Sequence, residues 1–548
     1  MPVISVSGAG GLRDSVLKIL VADQIAEQGV KRLGEAKGVE ADVRVGLAAG
    51  ELAAVVGDYD GMIVRSGVKV TKEVLSNPGR LRVIARAGVG VDNVDLDAAT
   101  AAGILVMNTP DANTISTAEH TLALMLALFR RIPQAHEHVT TGSWDRRAFI
   151  GHQVAGKVLG VVGLGRVGRA VSERALSMQM KVLAYDPFLR SGTVMDGRVT
   201  VVKEIDDLLP LIDCLTLHAT LTEDTKNLIN ASRLEKLKKT AVLINCARGG
   251  LVDDQALADA LNSERIAGAA IDVFPTEPPK DSPLLSCKNA VLTPHLGAST
   301  AEAQTAVSTD AVDAMLDYLC DGTIRNAVNV TDLPSDLSPR DRAYLDLTGR
   351  MAAILSVWCS DGVDRVEVTE ARREGLSAIG PTLALQAVVE MMNPHFQGRL
   401  NLVNAAAFAQ QRGIDIQHAT HSATQDFHEV VKVRFERRNE FHEIEGAVFA
   451  DDRPRVLAID GYRMEMVPDG QLVMIFNDDR PGVIGLVGTL FGNHELNIAD
   501  LFLSRQEKTA LMVLKSDDSV SEAVLEELRQ ASPILSVRTV KLSSLHVR

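Results

Sequence analysis

The stretch Val158–Pro187, VLGVVGLGRVGRAVSERALSMQMKVLAYDP, sets three glycines within six residues after an apolar run. A helical pattern follows, then a second apolar run that stops on Asp186, 18 residues after Gly168. Strand, glycine turn, helix, strand and acid together read as a dinucleotide-binding βαβ unit. Gly163 permits the tight turn. Gly165 lets the backbone approach a pyrophosphate at the helix N-terminus, and Gly168 lets helix and strand pack closely. A carboxylate at position 186 bonds both ribose hydroxyls and repels a 2′-phosphate, so NAD is the expected cofactor rather than NADP.

The surrounding chain is too long for one core. At 548 residues, 46% hydrophobic and 23% charged, it has ordinary globular composition and room for three or four domains. A formal net charge of -14 argues against nucleic acid or an anionic membrane as partner. Five scattered cysteines show neither disulfide pairing nor metal spacing, which fits a reducing cytoplasm and no bound metal. The first 15 residues are rich in glycine and serine, do not read as a signal peptide and are expected to be a disordered leader. The apolar run TLALMLALF is too short to span a bilayer.

Four regions differ in texture. Residues 16–113, with 297–330, and residues 114–296 alternate strand-like and helical runs, which implies two doubly wound parallel sheets of Rossmann type. Ser299 and Glu302 suggest a capping box that opens a helix to about Cys320. TDLPSDLSPRD looks like a linker. Residues 331–471 hold alternating runs such as VVKVRFE and RVLAIDGYRMEMV, expected as antiparallel strands of an α+β domain. Residues 472–548 read strand, turn, helix, strand, strand and a final helix, a second small α+β module.

Three later motifs carry chemistry. NCARGGLVD places Arg248 at a strand end before two glycines, where a planar fork can bind a carboxylate and polarise an oxygen. IDVFPTEPP places Asp272 and Glu277 at a strand end entering a proline-rich loop. LTPHLGAST places His295 just after a strand. Each motif alone is weak. Together, at strand ends of one nucleotide domain, they supply the cation, base and tuning acid that oxidation of a hydroxy acid requires.

The order GLGRVG, NCARGG, DVFPTEP, PHLGAST resembles the D-2-hydroxyacid dehydrogenases. VRSGVKV and RAGVGVDNVDLDAA narrow the resemblance to its long form, and NDDRPGVIG with LNIAD is similar to an ACT regulatory module. The resemblance implies a substrate domain (16–113 plus 297–330), an NAD domain (114–296), an intervening domain (331–471) and an ACT domain (472–548). It implies oxidation of 3-phospho-D-glycerate, with Arg248, Glu277 and His295 as the catalytic set. Gly163, Gly165, Arg166, Val167, Gly168, Asp186, Cys246, Ala247, Arg248, Asp272, His295, Gly297 and Ala298 would bind NAD. Arg65, Ser66, Gly67, Gly88, Gly90 and Asn108 would join Arg248 and His295 at the substrate, with Arg65, Arg86, Arg146 and Arg147 as candidates for its phosphate. Asn477, Asp479 and Asn497 would bind L-serine between two ACT modules of a homo-oligomer, a dimer or tetramer. Val89 and Ala219 stand where the family pattern carries threonine, which puts two cofactor contacts in doubt. A glyoxylate or hydroxypyruvate reductase, or an NAD-sensing corepressor, would share the Arg248, Glu277 and His295 set; the ACT-like tail argues for a regulated pathway enzyme.

Overall fold

The computed structural model describes residues 16–330, 337–360, 362–372, 379–396, 399–422, 429–438, 440–449 and 453–545. The expected leader therefore lies outside the described residues, as does much of the expected linker. The chain divides into two compact units. One takes residues up to 24, 30–108 and 311 onward; the other takes 25–29 and 109–310. These divisions fall at 108 and 310, against the expected boundaries of 113 and 296.

In the first unit, β1 (Leu17–Val21), β2 (Val39–Val43), β3 (Gly61–Val64), β4 (Val83–Arg86) and β5 (Leu105–Met107) form a wholly parallel sheet in the order β2-β1-β3-β4-β5. β3 and β5 are buried throughout, as apolar runs in a covered parallel sheet should be.

The second unit carries an eight-stranded sheet. Its strands are β6 (Val158–Val162), β7 (Lys181–Tyr185), β8 (Gly192–Val194), β9 (Val199–Val201), β10 (Cys214–Leu217), β11 (Val242–Asn245), β12 (Gly268–Ile271) and β13 (Ala290–Leu292). They run β13-β12-β11-β10-β6-β7-β9-β8, all parallel except the β8–β9 hairpin. The chain starts at β6, winds outward through β7 and β9, then returns to β10 on the other side of β6. That reversal is the topological switch point, where open α/β sheets bind ligands beyond the carboxyl ends of their strands.

The helix Ala301–Asp321 begins one residue later than the capping box predicts. Thr300, not Ser299, is the cap: its Oγ1 accepts the Ala303 N–H at 3.1 Å.

The first unit also holds two further sheets. β14 (Arg365–Arg372), β15 (Asp415–Ser422), β16 (Val430–Arg437), β17 (Glu440–Val448), β18 (Pro454–Ile459) and β19 (Tyr462–Met466) run β15-β14-β16-β17-β18-β19. The sequence pattern predicts antiparallel strands here, and only β14–β15 is parallel. β20 (Gly470–Asp478), β21 (Ile498–Gln506), β22 (Thr509–Ser516) and β23 (Ile534–Leu542) form an antiparallel sheet in the order β21-β22-β20-β23. Among the described residues the last element is thus the strand β23, after the helix Glu522–Gln530, which corrects the expected final helix.

The two sheets share a core. One face of β20 and β22 packs its own helices through Val473, Ile475, Met512 and Leu514. The other buries Leu472, Met474, Leu511 and Val513 with Leu347, Met351 and Val433 of the preceding domain. Arg350, buried on the helix Pro339–Leu355, joins them. It pairs with Asp346 at 2.8 Å and donates to the carbonyls of Pro468 (3.0 Å) and Ser543 (2.7 Å). Arg350→Met should remove the donor to the Ser543 carbonyl and to the carbonyl of buried Pro468, and cost about 1–3 kcal/mol. Thermal unfolding of full-length protein checks this; an unchanged midpoint would contradict it.

Candidate active site

The glycine turn closes against the end of β10. Gly163 has φ +89°, and a Cβ there would lie 2.7 Å from the His218 carbonyl oxygen. A Cβ at Gly168 would lie 2.1 Å from the Gly163 oxygen, so helix and turn touch backbone to backbone. At Gly165 the Cβ position meets nothing within 4 Å. The turn is therefore tight on the protein side and open at its tip, as a pyrophosphate approaching the helix Arg166–Ser177 requires. Val167 packs against the core, and Arg166 pairs with Asp111. Asp186 accepts the N–H groups of Leu164 (2.8 Å) and Phe188 (2.9 Å), one on each oxygen, and each oxygen keeps a lone pair for a ribose hydroxyl. These residues fit a dinucleotide. Beside them, desolvation lowers His218 to about 4, so its ring is neutral near pH 7.

The loop after β11 carries Arg248. Asn245 ties it on both sides, accepting the Ala247 N–H (3.1 Å) and donating to the Arg248 carbonyl (2.8 Å). Gly249 cannot carry a side chain, because a Cβ would lie 2.0 Å from the Phe274 carbonyl carbon. That contact locks the arginine loop onto the segment leading to Glu277. Glu277 in turn accepts the Phe274 N–H at 3.1 Å and faces His295 Nδ1 at 2.9 and 3.1 Å. The His295 side chain is 48% exposed. With Nδ1 turned to the carboxylate, Nε2 is the ring nitrogen that Glu277 does not engage. His295 also has φ +56°, uncommon for a residue with a side chain.

Asp272, expected at the cofactor, is 0% exposed. Its carboxylate accepts Thr293 Oγ1 (2.5 Å) and the N–H groups of Leu296 (2.7 Å) and Gly297 (2.9 Å), and meets His120 Nε2 at 3.2 Å. Its visible work is to hold the histidine turn. Burial pushes this carboxyl up, but the hydrogen bonds from His120, Thr293 and Leu296, with the His120 charge, bring it below the usual range. Cys246 is buried, and desolvation pushes its thiol up to about 12. Ala298 accepts Gln304 Nε2 at 2.8 Å. The donor atoms of His120, Cys246 and Asp272 lie within 4.8 Å of one another. Within this cluster, His120 and Asp272 are joined directly and through the Thr293 hydroxyl.

In the first unit, the expected substrate residues sit on loops at the carboxyl ends of β3, β4 and β5. Asp23 accepts the N–H groups of Arg65 (3.2 Å) and Gly67 (2.9 Å), fixing the turn that contains Ser66, while Arg65 Nη1 donates to the Gln24 carbonyl at 3.1 Å. Arg86 folds over Gly88, where a Cβ would lie 1.5 Å from its Nη1. Asn108 donates to the Val89 carbonyl at 2.7 Å, beside Gly90. Arg146 and Arg147, in the second unit, are exposed. Sequence reasoning missed Asp23, His120 and Thr293. Asp23 carried a signal, an acid ending an apolar strand; His120 was hidden in an apolar helical pattern.

In the tail, Asp479 is already engaged by Arg505, at 2.8 and 2.9 Å. Asn477 is buried and donates to the Asp478 carbonyl at 2.7 Å, and Asn497 donates to Asp517. One module does not bring these three together. Asn477 pairs with Ala510, whereas Ile498, next to Asn497, pairs with Ser516 at the Gln471 end of β20. Six residues separate Gln471 from Asn477, about 20 Å along a strand.

Fold and site define an NAD-linked dehydrogenase of the D-2-hydroxyacid class. Residues 122–297 match the NAD-binding domain of the D-isomer specific 2-hydroxyacid dehydrogenases, 341–460 the D-3-phosphoglycerate dehydrogenase intervening domain, and 472–532 the ACT domain. The D-3-phosphoglycerate dehydrogenases of Methanocaldococcus jannaschii and Archaeoglobus fulgidus are each 38% identical over 96% of this chain and 100% of their own. An NAD-dependent formate dehydrogenase from Staphylococcus aureus, solved with NAD, superposes with a TM-score of 0.52 at 29% identity. That match covers 57% of this chain and 99% of the other. The chain belongs to the D-3-phosphoglycerate dehydrogenase family.

The buried carboxylate gives a pH test. The folded pKa of Asp272 is depressed, so its stabilisation is present above about pH 4, the unfolded value, and is lost as pH falls through the folded value. Asp272→Asn turns an amide donor towards backbone donors and should cost about 1–3 kcal/mol at pH 7. The gap in melting temperature from wild type should shrink on acidification; a gap independent of pH would contradict this.

Proposed function

We propose that the chain oxidises 3-phospho-D-glycerate to 3-phosphohydroxypyruvate, the first step of the phosphorylated route to L-serine, in the cytoplasm. The observation that carries this reading is the His295–Glu277 pair beside the Arg248 loop, in a chain matched over 96% of its length by a relative named for this activity. NAD, when bound on the glycine turn with Asp186 at its ribose, supplies the hydride acceptor. The planar fork of Arg248 grips the substrate carboxylate and polarises the reacting oxygen. His295 Nε2 takes the C2 hydroxyl proton, and Glu277 holds Nδ1–H and stabilises the imidazolium that forms. In the first unit, the Ser66 N–H and the Val89–Gly90 loop are the candidates for further carboxylate contacts, since Asp23 already takes the Arg65 and Gly67 N–H groups; Arg65, Arg86, Arg146 and Arg147 are the candidates for the phosphate.

His295→Ala should lose roughly 10²–10⁴-fold in kcat. Arg248→Lys should fail too, since an ammonium cannot reproduce the fork. NADH formation from 3-phosphoglycerate measures both, and near-normal turnover by either variant would refute the assignment.

Regulation by L-serine follows as a second part of the proposal. The distance between Asn497 and the pair Asn477 and Asp479 favours a site made from two modules. Strand β21 is a sheet edge, and antiparallel pairing of two such edges would bring Asn497 of one copy towards Asp479 of another. Arg505 would then exchange or share its carboxylate. L-serine should inhibit the full chain and leave a truncated chain ending near Val330 unaffected. An equal response in both, or none in the full chain, would count against it.

A further inference from the structure

The helix Thr114–Arg130 grips the histidine turn at three points. Thr117 Oγ1 donates to the Gly297 carbonyl at 3.2 Å, Ser116 meets Thr300 at 2.7 Å, and His120 Nε2 lies 3.2 Å from Asp272 Oδ1 and 3.3 Å from Thr293 Oγ1. The backbone N–H groups of residues 295, 296 and 297 all end on the partners of His120. His295 donates to the carbonyls of Asp272 (2.9 Å) and Thr293 (3.0 Å); Leu296 and Gly297 donate to the Asp272 carboxylate. A left-handed conformation at a side-chain-bearing residue costs of order 1–3 kcal/mol and persists only where its surroundings over-determine it. Those surroundings are Asp272 and Thr293, and a carboxylate with no exposed surface needs donors on every side.

We propose that His120 is a positioning residue for the reaction: from its helix it fixes Asp272 and Thr293, which hold the 295–297 turn so that His295 meets Glu277 and the reacting hydroxyl together. The inference rests on the reading of His295 as the acid–base group. His120 touches neither Glu277 nor His295 by any hydrogen bond among the described residues, so it acts through the turn. Its Nε2 must carry a proton to donate to the carboxylate, which makes an N–H at that atom the feature that matters. Cys246, the other titratable side chain of the cluster, stays a neutral thiol, so the carboxylate and the imidazole face each other without a competing charge.

The test compares His120→Phe, which keeps ring bulk and removes the donor, with His120→Gln, which returns an N–H near the position of Nε2. Full-length variants are assayed with NAD and 3-phosphoglycerate, with C2-deuterated substrate, and by thermal unfolding. His120→Phe should lower kcat by roughly 10–10²-fold, as a misplaced catalytic group does. KM should stay near wild type, and the deuterium isotope effect on kcat should rise because hydride transfer becomes the slow step. His120→Gln should recover most of kcat. If His120→Phe does not fold, Thr293→Val removes the hydroxyl at the same node and should show the same split. A phenylalanine variant with wild-type kcat and isotope effect, or one whose lost activity glutamine does not restore, would overturn the proposal. If His295→Ala itself retains turnover, the underlying reading fails instead. An inactive His295→Ala beside a fully active His120→Phe defeats only this inference.

Discussion

The active-site end of the nucleotide domain depends on one buried charge. Asp272 sits at the end of β12 with no exposed surface, and an isolated carboxylate there would be far too costly to keep ionised. It is kept ionised by a hydroxyl, two backbone N–H groups and an imidazole. Each donor belongs to a segment that must be placed. Thr293 and residues 296 and 297 flank His295, and His120 comes from the helix beside β11 and β12. Satisfying the charge therefore builds the turn, and the turn aims the histidine.

A second constraint fixes the arginine relative to the histidine. The backbone at Gly249 touches the backbone at Phe274 so closely that no side chain fits between them. Phe274 also gives its N–H to Glu277, the partner of His295. Arginine, glutamate and histidine come from three different strand ends, yet a glycine contact and two hydrogen bonds set their spacing. Preorganisation of this kind lets charge be stabilised without reorganisation when the hydroxyl proton moves.

Much of this was legible in the residues. The Gly163, Gly165, Gly168 and Asp186 spacing predicts the central βαβ unit, because each glycine answers a local steric demand. Arg248, Glu277 and His295 were readable as strand-end residues of types that suit the chemistry. Asp272 was visible, but its work was not: an acid at a strand end looks the same whether it faces a ligand or the interior. His120 lies in a helix whose apolar pattern conceals a single inward polar residue. The strand β23 was missed although ILSVRTVKL alternates, because the helix before it draws the eye to the wrong period. The effector set shows what linear motifs leave out. Asn477 and Asn497 flank one helix in sequence, but antiparallel register carries them to opposite ends of the sheet.

The proposed chemistry requires His295 Nε2 and the Arg248 fork to converge on one substrate while Glu277 holds Nδ1. A crystal structure of the enzyme with NAD and 3-phosphoglycerate measures this directly. Nε2 is expected within about 3 Å of the C2 hydroxyl oxygen, with Arg248 on the carboxylate. A substrate bound with its C2 hydroxyl away from His295, or with its carboxylate held by other cations, would contradict it.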